Sequence, residues 1–310
     1  MTTQRQMIEI AGDQLSAAIN PYGAELTHLR DAGGRNLMTD ADPAFWTGHA
    51  PILFPVIGVT NGGVVRIGGR EYPMAKHGFA RHSLFDVVET GPARAVFALA
   101  DSEATRASYP FAFRLEIGFA IADATITLEA RIENRGDGPL PAQFGFHPAF
   151  AWPLPYGEDR GAHRVTFERH EPGELRGIAP DGLIAPDYRA SPLSGALSGR
   201  PDGGRELLLA DALFANDALV WDPIRSQSVT YGAAQGPVLH VRFPDTPRLG
   251  IWTKPALPDG EGPRFVCIEP WHGIADPEGF AGDFTQKPGV FEIAPGDEKR
   301  IGMSVTLVGA

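Results

Sequence analysis

One cysteine, Cys267, is all that the 310 residues contain. A single thiol cannot close an intramolecular disulfide, and it cannot by itself supply a thiolate metal cluster. It sits within Phe265-Val266-Cys267-Ile268, an apolar run that predicts a buried, unreactive thiol. No apolar run is long enough to cross a bilayer as a helix. The first residues, Met1-Thr2-Thr3-Gln4-Arg5-Gln6, open into polar sequence without the apolar stretch of a secretory signal. These absences predict a cytoplasmic protein with no membrane partner. Positive charge is in deficit: 27 Lys and Arg stand against 38 Asp and Glu, a net charge of −11. Such a field repels phosphate backbones, so nucleic acid is not expected as a partner, and a neutral or small ligand fits better. Also missing are a Gly-rich phosphate loop, a Gly-x-Ser-x-Gly elbow, a paired-histidine zinc signature and a calcium loop. Nucleotide enzymes, serine hydrolases and zinc hydrolases lose support accordingly.

What is abundant is punctuation. The 37 Gly and 28 Pro are spread along the whole length, the pattern of many short strands joined by turns. Convincing helical patterns are scarce; only Asp101 to Ser108, with an Asp or Ser cap and a stop at Tyr109-Pro110, reads as a short helix. Period-two alternation is clear where Leu115, Ile117, Phe119 and Ile121 share one face. It repeats after Asp123 with Ile126, Leu128, Ala130 and Ile132. Two such runs across a short polar break predict an antiparallel hairpin, half buried and half wet. Val65 to Tyr72 reads as a second hairpin turning on Gly68-Gly69, and the tail alternates through Ile301, Met303, Val305 and Leu307. Glu171 to Arg205, crowded with Gly, Pro, Ser and Asp, reads as an elaborate loop region rather than an interdomain linker, because the strand patterns on both sides are alike. With 43% hydrophobic residues and no internal repeat, the chain reads as one all-β domain spanning 1–310 with a full core.

Three segments could carry chemistry. In Gln143-Phe144-Gly145-Phe146-His147-Pro148-Ala149-Phe150, a histidine lies between aromatics at the end of a strand, and Pro148 biases it toward an extended backbone. It is either a fixed imidazole aimed into a cleft or a partly buried histidine satisfied by backbone. In Phe265 to Gly273 a glutamate, Glu269, follows four residues suited to a buried strand. Burying an ionised carboxylate is costly without partners, so either it serves as a base or the strand exposes it. Trp271 beside it is a sugar-stacking platform or a core residue. The third segment, Lys76-His77-Gly78-Phe79-Ala80-Arg81-His82, is dense in donors that could hold sugar hydroxyls or form a solvated loop.

Taken together and in order, these segments resemble the aldose 1-epimerase family, and within it the bacterial LacX-like branch. The resemblance rests on Ala50-Pro51-Ile52-Leu53-Phe54-Pro55-Val56-Ile57-Gly58, His77-Gly78-Phe79-Ala80-Arg81 and Gly145-Phe146-His147-Pro148-Ala149-Phe150. It continues through Leu249-Gly250-Ile251-Trp252-Thr253-Lys254-Pro255 and Cys267 to Asp276. The family implies a large antiparallel β-sandwich, the galactose mutarotase-like supersandwich, with few short helices and an open sugar cleft on one face. It implies an isomerase that interconverts the anomers of a free aldohexose without cofactor or metal, His147 as acid and Glu269 as base. His77 matches its ligand-holding histidine and Asp217 its hydroxyl-binding aspartate, with Asp211 and Asp222 as near competitors; Trp252, Trp271 and Asn61 join them as sugar contacts. The galactose-specific members carry an Asn-Arg pair where this chain reads Gly58-Val59-Thr60-Asn61-Gly62-Gly63, so Arg81 is the candidate replacement for that arginine. The expected partner is a monosaccharide and the expected state a monomer or homodimer. Two other readings remain: a mutarotase for a hexose 6-phosphate, held by Lys76, Arg81 and Lys254, and a non-catalytic sugar-binding or sensor protein on the same fold. A glycosidase using Asp217 and Glu269 as its two carboxylates leaves His147 without a task.

Overall fold

The computed structural model describes residues 6–190, 193, 204–257 and 262–310. Its frame is two large sheets of antiparallel strands. The first runs in the order Gly204–Leu208, His163–Glu171, Ser228–Ala233, Val238–Arg242, Glu298–Val308, Thr125–Asn134, Phe113–Ala122, Arg94–Ala100 and Asp86–Thr90. The second runs Ile184–Ala190, Glu174–Ile178, Leu219–Trp221, Arg248–Trp252, Phe265–His272, Phe144–Phe146 and Ile52–Leu53, with Ala149–Ala151 also paired to Phe265–His272. Leu115, Ile117, Phe119, Ile132, Met303 and Val305 from the first sheet share one buried cluster with Phe144, Phe146, Leu249, Ile251, Val266 and Ile268 from the second. A face from each sheet is thereby removed from water, which makes the pair a sandwich.

The alternation read from the sequence sets this up. Phe113–Ala122 and Thr125–Asn134 pair with Ala122 opposite Thr125, and all eight apolar residues of the two runs are buried. The Val64–Ile67 and Arg70–Pro73 hairpin turns through Gly68 and Gly69, both at positive φ, a conformation open to glycine. Among the described residues the α-helix is Glu103–Arg106 alone. Its cap is Ser102, whose hydroxyl accepts the Thr105 N–H while the Thr105 hydroxyl accepts the Ser102 N–H.

One expectation needs correcting. The segment from 171 to 205 is not simply a loop region: it supplies the end of His163–Glu171, then Glu174–Ile178, Ile184–Ala190 and the start of Gly204–Leu208. Glu174–Ile178 and Ile184–Ala190 pair irregularly: Arg176 stands opposite Tyr188 but Ile178 opposite Ile184, two residues along one strand facing four along the other. Burial still alternates along Glu174–Ile178, but Gly177 takes one of the inward positions and Ala185, Pro186 and Asp187 form an irregular stretch opposite it, so few apolar residues mark the period in sequence.

The strand Phe265–His272 determines where the site lies. Val266 and Ile268 enter the main core, while Phe265, Cys267, Glu269 and Trp271 point to the opposite face, as strand geometry requires. Opposite it runs one interrupted partner. Phe144 and Gly145 pair with His272 and Trp271, and Ala149 to Ala151 pair with Cys267 to Phe265. The register is the same on both sides of Pro148, so His147 falls directly across from Glu269.

Candidate active site

The outer face of the second sheet carries a cleft of about 420 Å³, inside the range usual for small-molecule sites. His147 and Glu269 meet at its floor, with His147 Nε2 3.0 Å from Glu269 Oε2 and the two side chains 7% and 2% exposed. The cross-strand register makes this meeting inevitable once both strands form. Glu269 is therefore not an exposed residue of an alternating strand. It faces outward from the core, and the cleft walls bury it.

Aromatic rings fix the imidazole. Trp46 lies against His147 with centroids 5.1 Å apart, Trp252 meets it edge-on at 6.0 Å, and His77 approaches edge-on at 5.8 Å. The floor beside Glu269 is the Trp271 indole. It packs on Leu53, Ile57, Ala218 and Val220, and it lies across Gly145 and Gly250, where any Cβ would come within 2.5 Å of the ring. The two glycines of the resembling motifs thus exist to let an indole lie flat. Trp271 consequently serves as core and as cleft lining at once.

His77 is held by a reciprocal pair of bonds: its N–H donates to the Gly58 carbonyl at 2.8 Å, and its Nδ1 accepts the Gly58 N–H at 3.1 Å. The second bond fixes the neutral tautomer with the proton on Nε2. Burial, followed by the charges of His147, Lys76, Arg81 and Lys287, drives its pKa well below the usual histidine value. His77 is therefore a neutral hydrogen-bond donor and not a proton donor near neutral pH. Its φ is +66°, and Asp217, also in the cleft lining, has φ +71°. Such backbones are uncommon outside glycine and concentrate at functional sites.

The structure also sorts the other candidates. Arg81, on the short turn Ala80–His82, lines the cleft; burial lowers its pKa against the raising influence of Glu25 and Glu269. Asp217 lines the cleft, while its two competitors are engaged elsewhere: Asp211 with Arg160, and Asp222 between Arg176 and Arg248. Trp252 lines it too. Asn61 does not. Its amide donates to the Phe280 carbonyl at 2.9 Å and its backbone N–H to Asp276 at 2.8 Å, which ties down the loop behind the site. Asp276 is held in turn by Lys287 at 2.9 Å, a pair almost fully buried. Cys267 is fully buried, and burial raises its thiol pKa well above the ordinary value. Trp46, Ile178, Gly182 and Ile184 join the lining without having been singled out as site residues. The last three belong to the segment read as loop, and no sequence signal tied them to the site.

Among the described residues no helix is long and apolar enough to cross a membrane. A family model described as aldose 1-epimerase matches residues 6–177. The plasmid-borne protein LacX of Lactococcus lactis subsp. lactis is 27% identical over 309 residues, covering 97% of this chain and 99% of its own length. Among solved structures, a galactose mutarotase related enzyme from Lactobacillus acidophilus superposes with a TM-score of 0.85 at 27% identity, over 97% of each chain. A galactose mutarotase-like protein from Lactobacillus casei ATCC 334 does so with a TM-score of 0.87 at 28% identity, over 97% of this chain and 100% of that one. The family match spans more than half of the sequence, and sheet architecture and cleft agree with it: the chain belongs to the aldose 1-epimerase family.

Proposed function

We propose that the protein interconverts the α and β anomers of an aldose by opening and reclosing the hemiacetal ring, with Glu269 as base and His147 as acid. The observation that carries this reading is the 3.0 Å apposition of a buried imidazole and a buried carboxylate at the floor of a sugar-sized cleft. Glu269 removes the proton from the C1 hydroxyl as the bond from C1 to the ring oxygen breaks. His147, as the imidazolium, delivers a proton to that oxygen. The aldehyde then turns about its bond to C2. On reclosure the ring hydroxyl returns its proton to His147 while Glu269 reprotonates O1. The pair ends as it began, and protein charge is unchanged throughout. His77 is excluded as the acid by its depressed pKa; it presents Nε2–H to a sugar oxygen instead. Trp271 and Trp252 offer faces to sugar C–H groups, and Asp217 accepts hydroxyls.

Positioned acid–base groups contribute roughly 10²–10⁴-fold. Polarimetry of freshly dissolved α-D-glucose and α-D-galactose tests the assignment. Wild type should accelerate the approach to anomeric equilibrium, and Glu269→Gln and His147→Ala should each lose most of that acceleration. Full turnover in Glu269→Gln would overturn it. A purely sugar-binding protein would bind in calorimetry and leave the rate unchanged.

One observation favours a second form of this reading. Lys76, Arg81 and Lys254 line the cleft, and none of them has an ion-pair partner among the described residues. Two cleft carboxylates, Glu269 and Asp217, leave positive charge in excess, which suits an aldose bearing a phosphate or other anion. Inorganic phosphate should then inhibit competitively, and the absence of any phosphate effect would leave the neutral aldose.

A further inference from the structure

The acid–base pair has a third neighbour that anomerisation does not use. Cys267 and Glu269 lie two residues apart on the same face of Phe265–His272, and Cys267 pairs with Ala149 two residues beyond His147. One donor atom from each of His147, Cys267 and Glu269 lies within 4.8 Å of the other two, and all three residues are buried. His147 Nδ1, buried, has no hydrogen-bond partner among the described residues. Cys267 is a free thiol. Imidazole, thiolate and carboxylate together form a donor set for a thiophilic divalent cation and a poor one for magnesium or calcium, which take oxygen ligands. Three protein ligands also leave a fourth position open, as in zinc sites that admit water or substrate.

We propose that His147, Cys267 and Glu269 form a three-donor site for a thiophilic divalent cation of the zinc and cadmium class, and that a cation bound there shuts the cleft down. Its entry path is the cleft itself, since His147 and Glu269 line it. On binding, the Cys267 thiol loses its proton to solvent and a sulfur–metal bond forms. The Glu269 carboxylate and an imidazole lone pair are taken up in the same event. Neither can then exchange a proton with a sugar, and the cation stands where C1 and its oxygens would lie. Metal and sugar therefore exclude each other. The coordination stands independently of the anomerase reading; only the inhibition rests on it.

Cadmium is the probe, because its thiolate bond has an ultraviolet charge-transfer absorption and the chain has one thiol. Titrated into the wild-type protein, Cd²⁺ should raise that absorption to saturation at one equivalent, and Zn²⁺ should displace it. Glu269→Gln and His147→Ala should each weaken Cd²⁺ binding by about 100-fold or more, since loss of an outer-shell partner of a metal ligand already costs about 10–100-fold. Cys267→Ala and the similarly sized Cys267→Ser should lose the absorption, keep the anomerisation rate of wild type and lose its inhibition by Cd²⁺. An absorption untouched by Glu269→Gln and His147→Ala, or none in wild type, would overturn the site. Saturated absorption with undiminished anomerisation would overturn the inhibition. If the protein anomerises no sugar tested, the absorption still decides the coordination, so failure of the activity and failure of the site read out separately.

Discussion

The flat seating of Trp271 on two glycines makes a quantitative test of how the cleft floor is built. In Gly250→Ala the new methyl would lie 2.5 Å from Trp271 Cη2, 2.7 Å from Cζ2 and 3.1 Å from Cζ3. Carbon atoms prefer separations of roughly 3.5–4.0 Å, so the ring must lift by about 1 Å. It cannot sink, because Leu53, Ile57, Ala218 and Val220 pack around it. Overpacking of this kind costs about 1–3 kcal/mol. The lower backbone entropy of Ala returns about 0.5–1 kcal/mol, so the net loss is roughly 0–2.5 kcal/mol, centred at about 1 kcal/mol. Urea unfolding should show a lower midpoint with an unchanged slope. Because the ring lifts into the cleft while Glu269 and His147 stay in register, KM should rise more than kcat falls. The decisive comparison is a double-mutant cycle with Trp271→Ala. In that background the methyl meets empty space, and the cost of Gly250→Ala should vanish or change sign. Equal costs in the two backgrounds would refute the account of the glycine.

Other consequences follow from the same geometry. Burial lowers the pKa of His28, His49, His77, His82, His163, His240 and His272. A histidine that binds its proton less tightly when folded lets the unfolded chain take up more protons, so stability is lost as pH falls below 6.5 toward the folded values. Urea midpoints should thus be lower at about pH 5.5 than at about pH 7.5, and His77→Gln should flatten the difference; an unchanged or higher midpoint at the lower pH would contradict this. Lys287→Met strands the buried Asp276 carboxylate and should cost about 3–5 kcal/mol in urea unfolding, with Asp276→Asn restoring part of it. Glu171, fully buried, accepts the Arg225 and Ser226 N–H groups at 2.9 and 2.8 Å. Glu171→Ala leaves both donors unpaired and should cost about 2–6 kcal/mol, whereas a loss below about 1 kcal/mol would mean water replaces the carboxylate.

Strand alternation, turn glycines and the capped helix were legible in sequence because they depend on neighbours a few residues away. The hairpin over 113–134 follows from its apolar period, and the Gly68-Gly69 turn from its need for positive φ. The three candidate segments and the resemblance together named His147, Glu269, His77, Arg81, Asp217, Trp252 and Trp271, and the fold brings all seven to one cleft. Composition alone had left most of these residues ambiguous. Whether Glu269 is buried depends on what surrounds the outer face of its strand, and the cleft there is lined by residues such as Trp46, Ile178 and Ile184, far away in the chain. Asn61 was misplaced for the same reason: its amide is committed to Phe280, more than 200 positions along.

The sequence by itself determined an all-β chain with a full core, because strand period and turn chemistry are local properties. Only the tertiary structure decided that His147 and Glu269 touch, that His77 is held neutral, that Asp217 rather than Asp211 or Asp222 reaches the cleft, and that Cys267 lies beside His147 and Glu269. Each of these depends on cross-strand register and on burial by distant segments, and both are fixed only when the sheets close over their shared core.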